Sequence, residues 1–334
     1  MIPILNSHPH SAPSLASLTS LLKTQLNAIN ACILEKMQSP VTLIPQIAGY
    51  LISLGGKRLR PLLTVASAEL CGYEGTRHIQ LAACVEFIHT ATLLHDDVVD
   101  ESTLRRGMST ANALWSNKAS VLVGDFLFSR AFELMVNDGS LDVLQILSQA
   151  SSTIAEGEVM QLASSHDLEL SQETYLKIIG AKTARLFSAA TEVGAVVANA
   201  DASKRKALAW FGHTLGIAFQ LMDDVLDYAA DQEKLGKAIG DDFREGKVTL
   251  PVILAYEKGA DSSFWKEAFE GGVRDEGALA HATRLLRESG SLLKTNHIAQ
   301  DFVNQALESL KIFPKSHLKE ALQDLAYFSL HREV

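Results

Sequence analysis

The distribution of apolar positions along the chain predicts helices and little else. Between Pro61 and Pro251 lies a 189-residue stretch without proline, rich in Ala, Leu and Val and interrupted mainly by glycine. A proline-free run of good helix formers reads as consecutive long helices. Asn137-Asp138-Gly139 and Gly180 mark expected helix junctions, and Asp201-Ala202-Ser203 an expected helix start. Alternating apolar strands bounded by Asn-Gly turns are not seen, nor is a repeat of about 20–50 residues. The expected class is all-α, one domain over 14–334. Ahead of it, residues 1–13, with three prolines and two histidines, read as a flexible arm.

Two places break the apolar pattern in the same way. In HTATLLHDDVVDES, residues 89–102, Asp96 and Asp100 stand four apart, so a helix puts both carboxylates on one face, with Asp97 beside them. Leu93, Leu94, Val98 and Val99 surround them. A lone DDxxD is most often a solvated acidic face, but such a face carries balancing lysines and this one does not. Carboxylates embedded in apolar sequence need a cation, and oxygen-only ligands select a hard ion, Mg²⁺ or Mn²⁺. The pattern returns in AFQLMDDVLDY, residues 218–228, with Asp223, Asp224 and Asp227. Two such helices could hold metal ions between them and clamp a diphosphate from both sides.

Basic residues supply the other half. In GGKRLRP, residues 55–61, Lys57, Arg58 and Arg60 surround an expected helix start with Pro61 as its first residue, while Gly55 and Gly56 allow close backbone approach. Alone, such a cluster is as often plain surface. Arg105 and Arg106 follow the first acidic motif closely, and arginine suits bidentate phosphate contact. Lys182 and Thr183 interrupt the apolar run IIGAKTARLFSAATEVG; a lysine there can snorkel, but beside two acidic helices it is expected at the mouth of a cavity. Gln220 precedes the second motif, and Lys237 and Lys247 follow it in GKAIGDDFREGK. That loop superficially resembles a P-loop, but its spacing is one residue too long, its threonine is displaced and no strand precedes it.

Charge and composition narrow the class. Thirty basic and thirty-nine acidic residues give a net charge of -9, which argues against nucleic acid or anionic lipid as the main partner. An apolar share of 47% is enough for a sizeable core. No apolar run approaches the ~18 residues of a membrane span. The opening MIPILNSHPHSAP lacks a basic segment followed by an apolar one, so no secretory leader is expected. The odd number of cysteines, Cys32, Cys71 and Cys84, lacks metal-ligand spacing and suits a reduced, cytoplasmic chain.

GGKRLRP, HDDVVDES–LRRG, the AKTA helix and FQLMDDVLDY–GDDFREGK, in that order, resemble the trans (all-E) polyprenyl diphosphate synthases. VEFIHTATLLHDDVVDES and IAEGEV are similar to the long-chain, octaprenyl and decaprenyl, members that make quinone side chains. The resemblance implies a helical bundle around a deep central cavity, the isoprenoid synthase fold, and a homodimer. It implies Mg²⁺ on Asp96, Asp100 and Asp223, with Asp97, Asp224 and Asp227 assisting. Lys57, Arg60, His89 and Arg106, with the Gly56 backbone, would hold isopentenyl diphosphate. Arg105, Lys182, Thr183, Gln220, Lys237 and Lys247 would hold the allylic diphosphate, Lys182 counting among the catalytic groups with the aspartates. Short-chain members carry a bulky aromatic four or five residues before the first motif; here those positions are Thr92 and Ala91, which implies a long product. On the helix, Thr92, His89, Val85 and Leu81 follow down the face of Asp96, with Phe87 opposite. A shorter-chain synthase, a terpene cyclase, an HD-type phosphohydrolase using His95-Asp96 and a non-catalytic subunit of a heteromeric prenyltransferase compete. The second acidic helix and the GGKRLRP cluster weigh against the cyclase, that second helix against the phosphohydrolase, and two intact motifs against the silent subunit.

Overall fold

The proline-free stretch does fold into long helices in the computed structural model, which describes residues 14–53, 56–105, 107–229 and 240–331. The 1–13 arm, Arg106 and Lys237 lie outside the described residues. In chain order the helices are α1 (Ala16–Leu21), α2 (Lys23–Lys36), α3 (Leu43–Ser53), α4 (Leu59–Leu70), α5 (Arg77–Val99), α6 (Ala111–Leu114), α7 (Asn117–Asp138), α8 (Leu141–Ala163) and α9 (Gln172–Ile179). A π-helical segment, Gly180–Ala184, leads directly into α10 (Arg185–Val197). After it come α11 (Ala202–Ala229), α12 (Asp241–Glu245), α13 (Leu250–Glu257), α14 (Ser262–Phe269), α15 (Glu276–Glu288), α16 (Ser291–Ser309) and α17 (His317–Leu330). The fold is all-α.

The core is built from helices that are apolar on every side. Residues 81–88 of α5 are all buried, and so are nearly all of Leu186–Val197 in α10. A helix of that composition can only sit at the centre of a bundle. Around it α4, α5, α7, α8 and α10 follow one another as neighbours, α11 lies against α10 and α16 against α11.

Three local expectations meet the structure differently. Asn137-Asp138-Gly139 is a junction, with Gly139 at φ 76 closing α7, and Asp201 caps α11 through the Ser203 and Lys204 amides. Gly180, however, breaks nothing: the chain stays helical from α9 to α10 and widens by one π turn. Pro61 is the third residue of α4, not the first, because the helix opens at Leu59 behind Arg58, which takes a left-handed conformation (φ 46). A two-residue antiparallel ladder, Leu104–Arg105 (β1) against Met108–Ser109 (β2), also appears where no strand was expected.

Candidate active site

The first acidic motif occupies the C-terminal end of α5, and its three aspartates part company there. Asp97 turns inward and is almost wholly buried; its Oδ1 accepts from Nε (2.9 Å) and Nη2 (2.7 Å) of Arg105. The β1–β2 turn brings Arg105 back to this carboxylate, and Asn112 ties the turn down by donating to the Asp97 carbonyl at 3.1 Å. Asp96 and Asp100 remain at the rim. Burial pushes the Asp96 carboxyl up to about 7; Glu158 and Asp100 add to the effect, and Lys182 opposes it. A carboxylate so placed calls for more positive charge than its neighbours supply.

Lys182 comes from the π segment. Its Nζ donates to Glu158 at 2.6 Å and to Gln161 Oε1 at 2.8 Å, and it stands 4.0 Å from Asp96. α8 reaches this close because of Gly157: a Cβ there would lie 2.7 Å from the Lys182 amide nitrogen. Thr183, the next residue, serves the other motif. Its hydroxyl donates to Gln220 Oε1 at 2.9 Å, and Gln220 Nε2 donates to Asp224 at 3.0 Å. Two consecutive residues of one π turn therefore touch both acidic helices, a common use of such turns.

On α11 the aspartates separate as well. Asp224 is buried and receives the Tyr175 hydroxyl in addition to Gln220. Burial, followed by Asp242, raises its pKa well above the carboxylate range. Asp227 accepts the backbone amides of Asp241 (3.2 Å) and Asp242 (3.1 Å), so it caps α12. That cap fixes the loop carrying Lys247, whose Nζ reaches Asp100 at 2.8 Å and Glu245 at 2.6 Å. Burial works against the charge on Lys247, but Asp242, Asp100 and Glu245 outweigh it and hold its pKa up. Asp223 is the exposed member of the motif and acts electrostatically on Arg60.

The basic side lies on α4. Arg60 packs over the Phe187 ring, 4.4 Å from its centroid, with Nη1 3.1 Å from His89 Nε2. Burial pushes its pKa down to about 10, against the pull of Glu86 and Asp223. Its Nε is buried without a hydrogen-bond partner among the described residues. Arg58 pairs with Glu86. Lys57 stands over the Phe328 ring at 4.9 Å, so α17, which carried no motif, covers this edge. Gly56 is exposed just ahead of α4.

The structure thus gathers Asp96, Asp100, Lys182 and Lys247 at one rim and sets Asp223 within electrostatic reach of Arg60, which stands against His89. Glu158, Gln161, Glu245, Glu86 and Tyr175 join them unforeseen. The IAEGEV segment held a signal for Glu158, a carboxylate inside a helical run with a glycine next to it. Down the Asp96 face, His89 and Thr92 keep some exposure, whereas Val85 and Leu81 have none; Ala91, off that face, is also fully buried. Among the described residues no group of three or more His, Cys, Asp or Glu could enclose an ion. The donor set still fits magnesium, which takes one or two carboxylates and completes its shell with phosphate oxygens and water.

The family model for polyprenyl synthetase matches residues 41–286. The chain belongs to that family and is a trans-prenyltransferase of the isoprenoid synthase fold. The chain is 44% identical over 322 residues to octaprenyl diphosphate synthase of Escherichia coli, which spans 96% of this chain and 99% of that one. A crystal structure of polyprenyl synthase from Caulobacter crescentus CB15, complexed with calcium and isoprenyl diphosphate, superposes with a TM-score of 0.94 at 50% identity, covering 98% of this chain and 100% of that one. Decaprenyl diphosphate synthase from Rhodobacter capsulatus gives 0.91 at 48%, covering 96% and 100%. With relatives of this kind along its whole length, the chain is a long-chain enzyme.

Proposed function

We propose that the chain extends an allylic diphosphate such as farnesyl diphosphate with isopentenyl diphosphate, to an all-trans product of octaprenyl to decaprenyl length for a quinone side chain. The observation that carries this reading is the π turn, which presents Lys182 to Asp96 and, through Thr183 and Gln220, reaches Asp224. A polyanion entering between the acidic helices meets Lys182 and Lys247 from two sides. Magnesium held by Asp96, Asp100 and Asp223 would neutralise the leaving diphosphate. In that arrangement Lys182, Lys247, Thr183 and Gln220 bind the allylic diphosphate, together with Lys237 and, through Asp97, the Arg105 turn. Arg60, His89 and Lys57, with Arg106 and the Gly56 backbone, hold isopentenyl diphosphate so that its double bond faces the allylic carbon. As the allylic C–O bond breaks, that double bond forms the new C–C bond, and loss of a proton restores an allylic chain one unit longer. The buried faces of α5 and α10 exclude water that would quench the cation.

Thr92 is the natural gate on product length. It is small and partly exposed, whereas Ala91 is sealed in the core, where a larger ring would strain the packing. Incubation with Mg²⁺, farnesyl diphosphate and isopentenyl diphosphate, followed by reversed-phase sizing of dephosphorylated products, should give long chains. Thr92→Phe should shorten them with activity kept; unchanged length would move the wall elsewhere.

No helix among the described residues is long and apolar enough to cross a membrane, which suits a cytoplasmic enzyme. Homodimerisation is supported by the neighbouring helices α7 and α8, where Leu122, Phe132, Val136, Val159 and Leu162 stand exposed. A second copy would cover them, and light scattering should report twice the chain mass, falling to one in Leu122→Glu/Val136→Glu.

A further inference from the structure

We propose that Tyr175 is a positioning residue for the allylic half of the site, acting through Asp224, Gln220 and Thr183 without touching substrate. Tyr175 lies on α9, seven residues before Lys182 on the same continuous helix, and its hydroxyl donates to Asp224 Oδ2. The other Asp224 oxygen accepts from Gln220 Nε2 at 3.0 Å, and Gln220 Oε1 accepts from the Thr183 hydroxyl at 2.9 Å. The relay runs Tyr175–Asp224–Gln220–Thr183, beginning and ending on one helix and passing through α11 between.

A packing role alone does not account for these side chains. Tyr175, Asp224 and Thr183 are all buried, and an apolar set of equal volume would avoid desolvating a carboxylate. Asp224 is also pressed by Asp242 and Asp223, and its hydrogen bonds come from the neutral donors Tyr175 and Gln220. Such a network is stable only when every member is satisfied, and it then permits one geometry. What that geometry fixes is functional. It orients the Gln220 amide, leaving its oxygen for Thr183, and it sets the rotation of α11 that leaves Asp223 exposed. It also ties the Tyr175 end of the helix to the π turn that presents Lys182.

The proposal rests on the allylic roles given above to Lys182, Thr183 and Gln220. Tyr175→Phe keeps the ring and removes only the hydroxyl. Losing this buried hydrogen bond should raise KM for farnesyl diphosphate by about 10-fold, with KM for isopentenyl diphosphate within about twofold. The dissociation constant for farnesyl thiodiphosphate, which does not turn over, should rise in parallel. Asp224→Asn keeps the shape and still accepts the tyrosine proton, so it should be milder. In the Tyr175→Phe background it should add little further loss, since both changes cut the same relay. If Tyr175→Phe does not fold, Asp224→Asn carries the test, with the same split between substrates expected. Equal changes in both KM values, or an unchanged allylic KM and thiodiphosphate affinity in a folded variant, would overturn the proposal. A wild-type enzyme unable to extend farnesyl diphosphate would overturn the reading beneath it; a normal wild type with an indifferent variant overturns this inference alone.

Discussion

The two acidic motifs read almost alike in sequence, DDVVD and DDVLD, yet the molecule uses them differently. In both, the first aspartate faces the cleft and the second is buried: Asp96 and Asp97 on α5, Asp223 and Asp224 on α11. The buried carboxylates are compensated by opposite means. Asp97 has a cation, Arg105, returned to it by a tight turn; Asp224 has two neutral donors, Tyr175 and Gln220. The third positions diverge as well. Asp100 stays at the rim against Lys247, while Asp227 spends its carboxylate on the amides of α12 and thereby holds the loop that delivers Lys247. Spacing puts the carboxylates on a helix; the elements packed against that helix decide what each one does.

The largest expected effect sets the first positions against the second. Asp96→Ala or Asp223→Ala should lower turnover on the order of 10²-fold or more with little loss of folding stability, since each removes charge that stabilises the leaving group. Near-normal turnover at saturating Mg²⁺ would remove that residue from the metal set. Arg105→Ala should instead show in stability: it leaves the Asp97 carboxylate buried and unpaired, at about 3 kcal/mol in denaturant titration. Arg105→Ala/Asp97→Asn should recover much of that loss; no loss in Arg105→Ala would mean that Arg105 serves substrate only, and a loss without recovery that it does not come from the Asp97 charge.

The basic residues sharpen the division more gently. Lys57→Ala and Arg60→Ala should raise KM mainly for isopentenyl diphosphate, Lys182→Ala and Lys247→Ala mainly for the allylic substrate, each by about 10-fold. Steady-state kinetics with either substrate varied decides it, and four identical patterns would erase the two-site scheme. The smallest effect is in pH. Because the Asp96 pKa is raised to about 7, its ionised form costs the native state stability; the cost grows as pH climbs from the ordinary carboxylate range and is complete above about 7. Without metal, Asp96→Asn should raise Tm by a few degrees above that pH and leave it unchanged below the carboxylate range.

What the sequence conveyed and what it withheld follow from the same distinction. Helix content, the Asn137–Gly139 junction, the Asp201 cap and the placing of both acidic motifs on helices were legible, because each depends on residues within a turn or two. Whether Asp97 faces a metal or an arginine depends on a hairpin eight residues on, and the state of Asp224 on a tyrosine 49 residues earlier. Gly180 looked like a break because glycine is a poor helix former; close packing from both sides keeps the chain helical there. Gly157 of α8 presses on one side, and on the other Gly216 of α11, where a Cβ would lie 2.6 Å from the Ala184 Cα. The role of α17 beside Lys57 left no trace, since Phe328 is one apolar residue among many.

The π turn also has a consequence for insertions and deletions. It holds one residue more than an α-helical path between α9 and α10 would need, so deleting a single residue from Gly180–Ala184 would restore regular register and give a straighter helix. The flanking turns would keep their faces, because the π turn already absorbs the extra residue that the deletion removes. Tyr175 would stay on Asp224, and the loss would fall on the turn itself, where Lys182 and Thr183 could no longer both be presented as they are. Along this helix a one-residue deletion would be easier to accommodate at the π turn than in the regular turns of α9 or α10, where it would rotate one flank by about 100° against its partners.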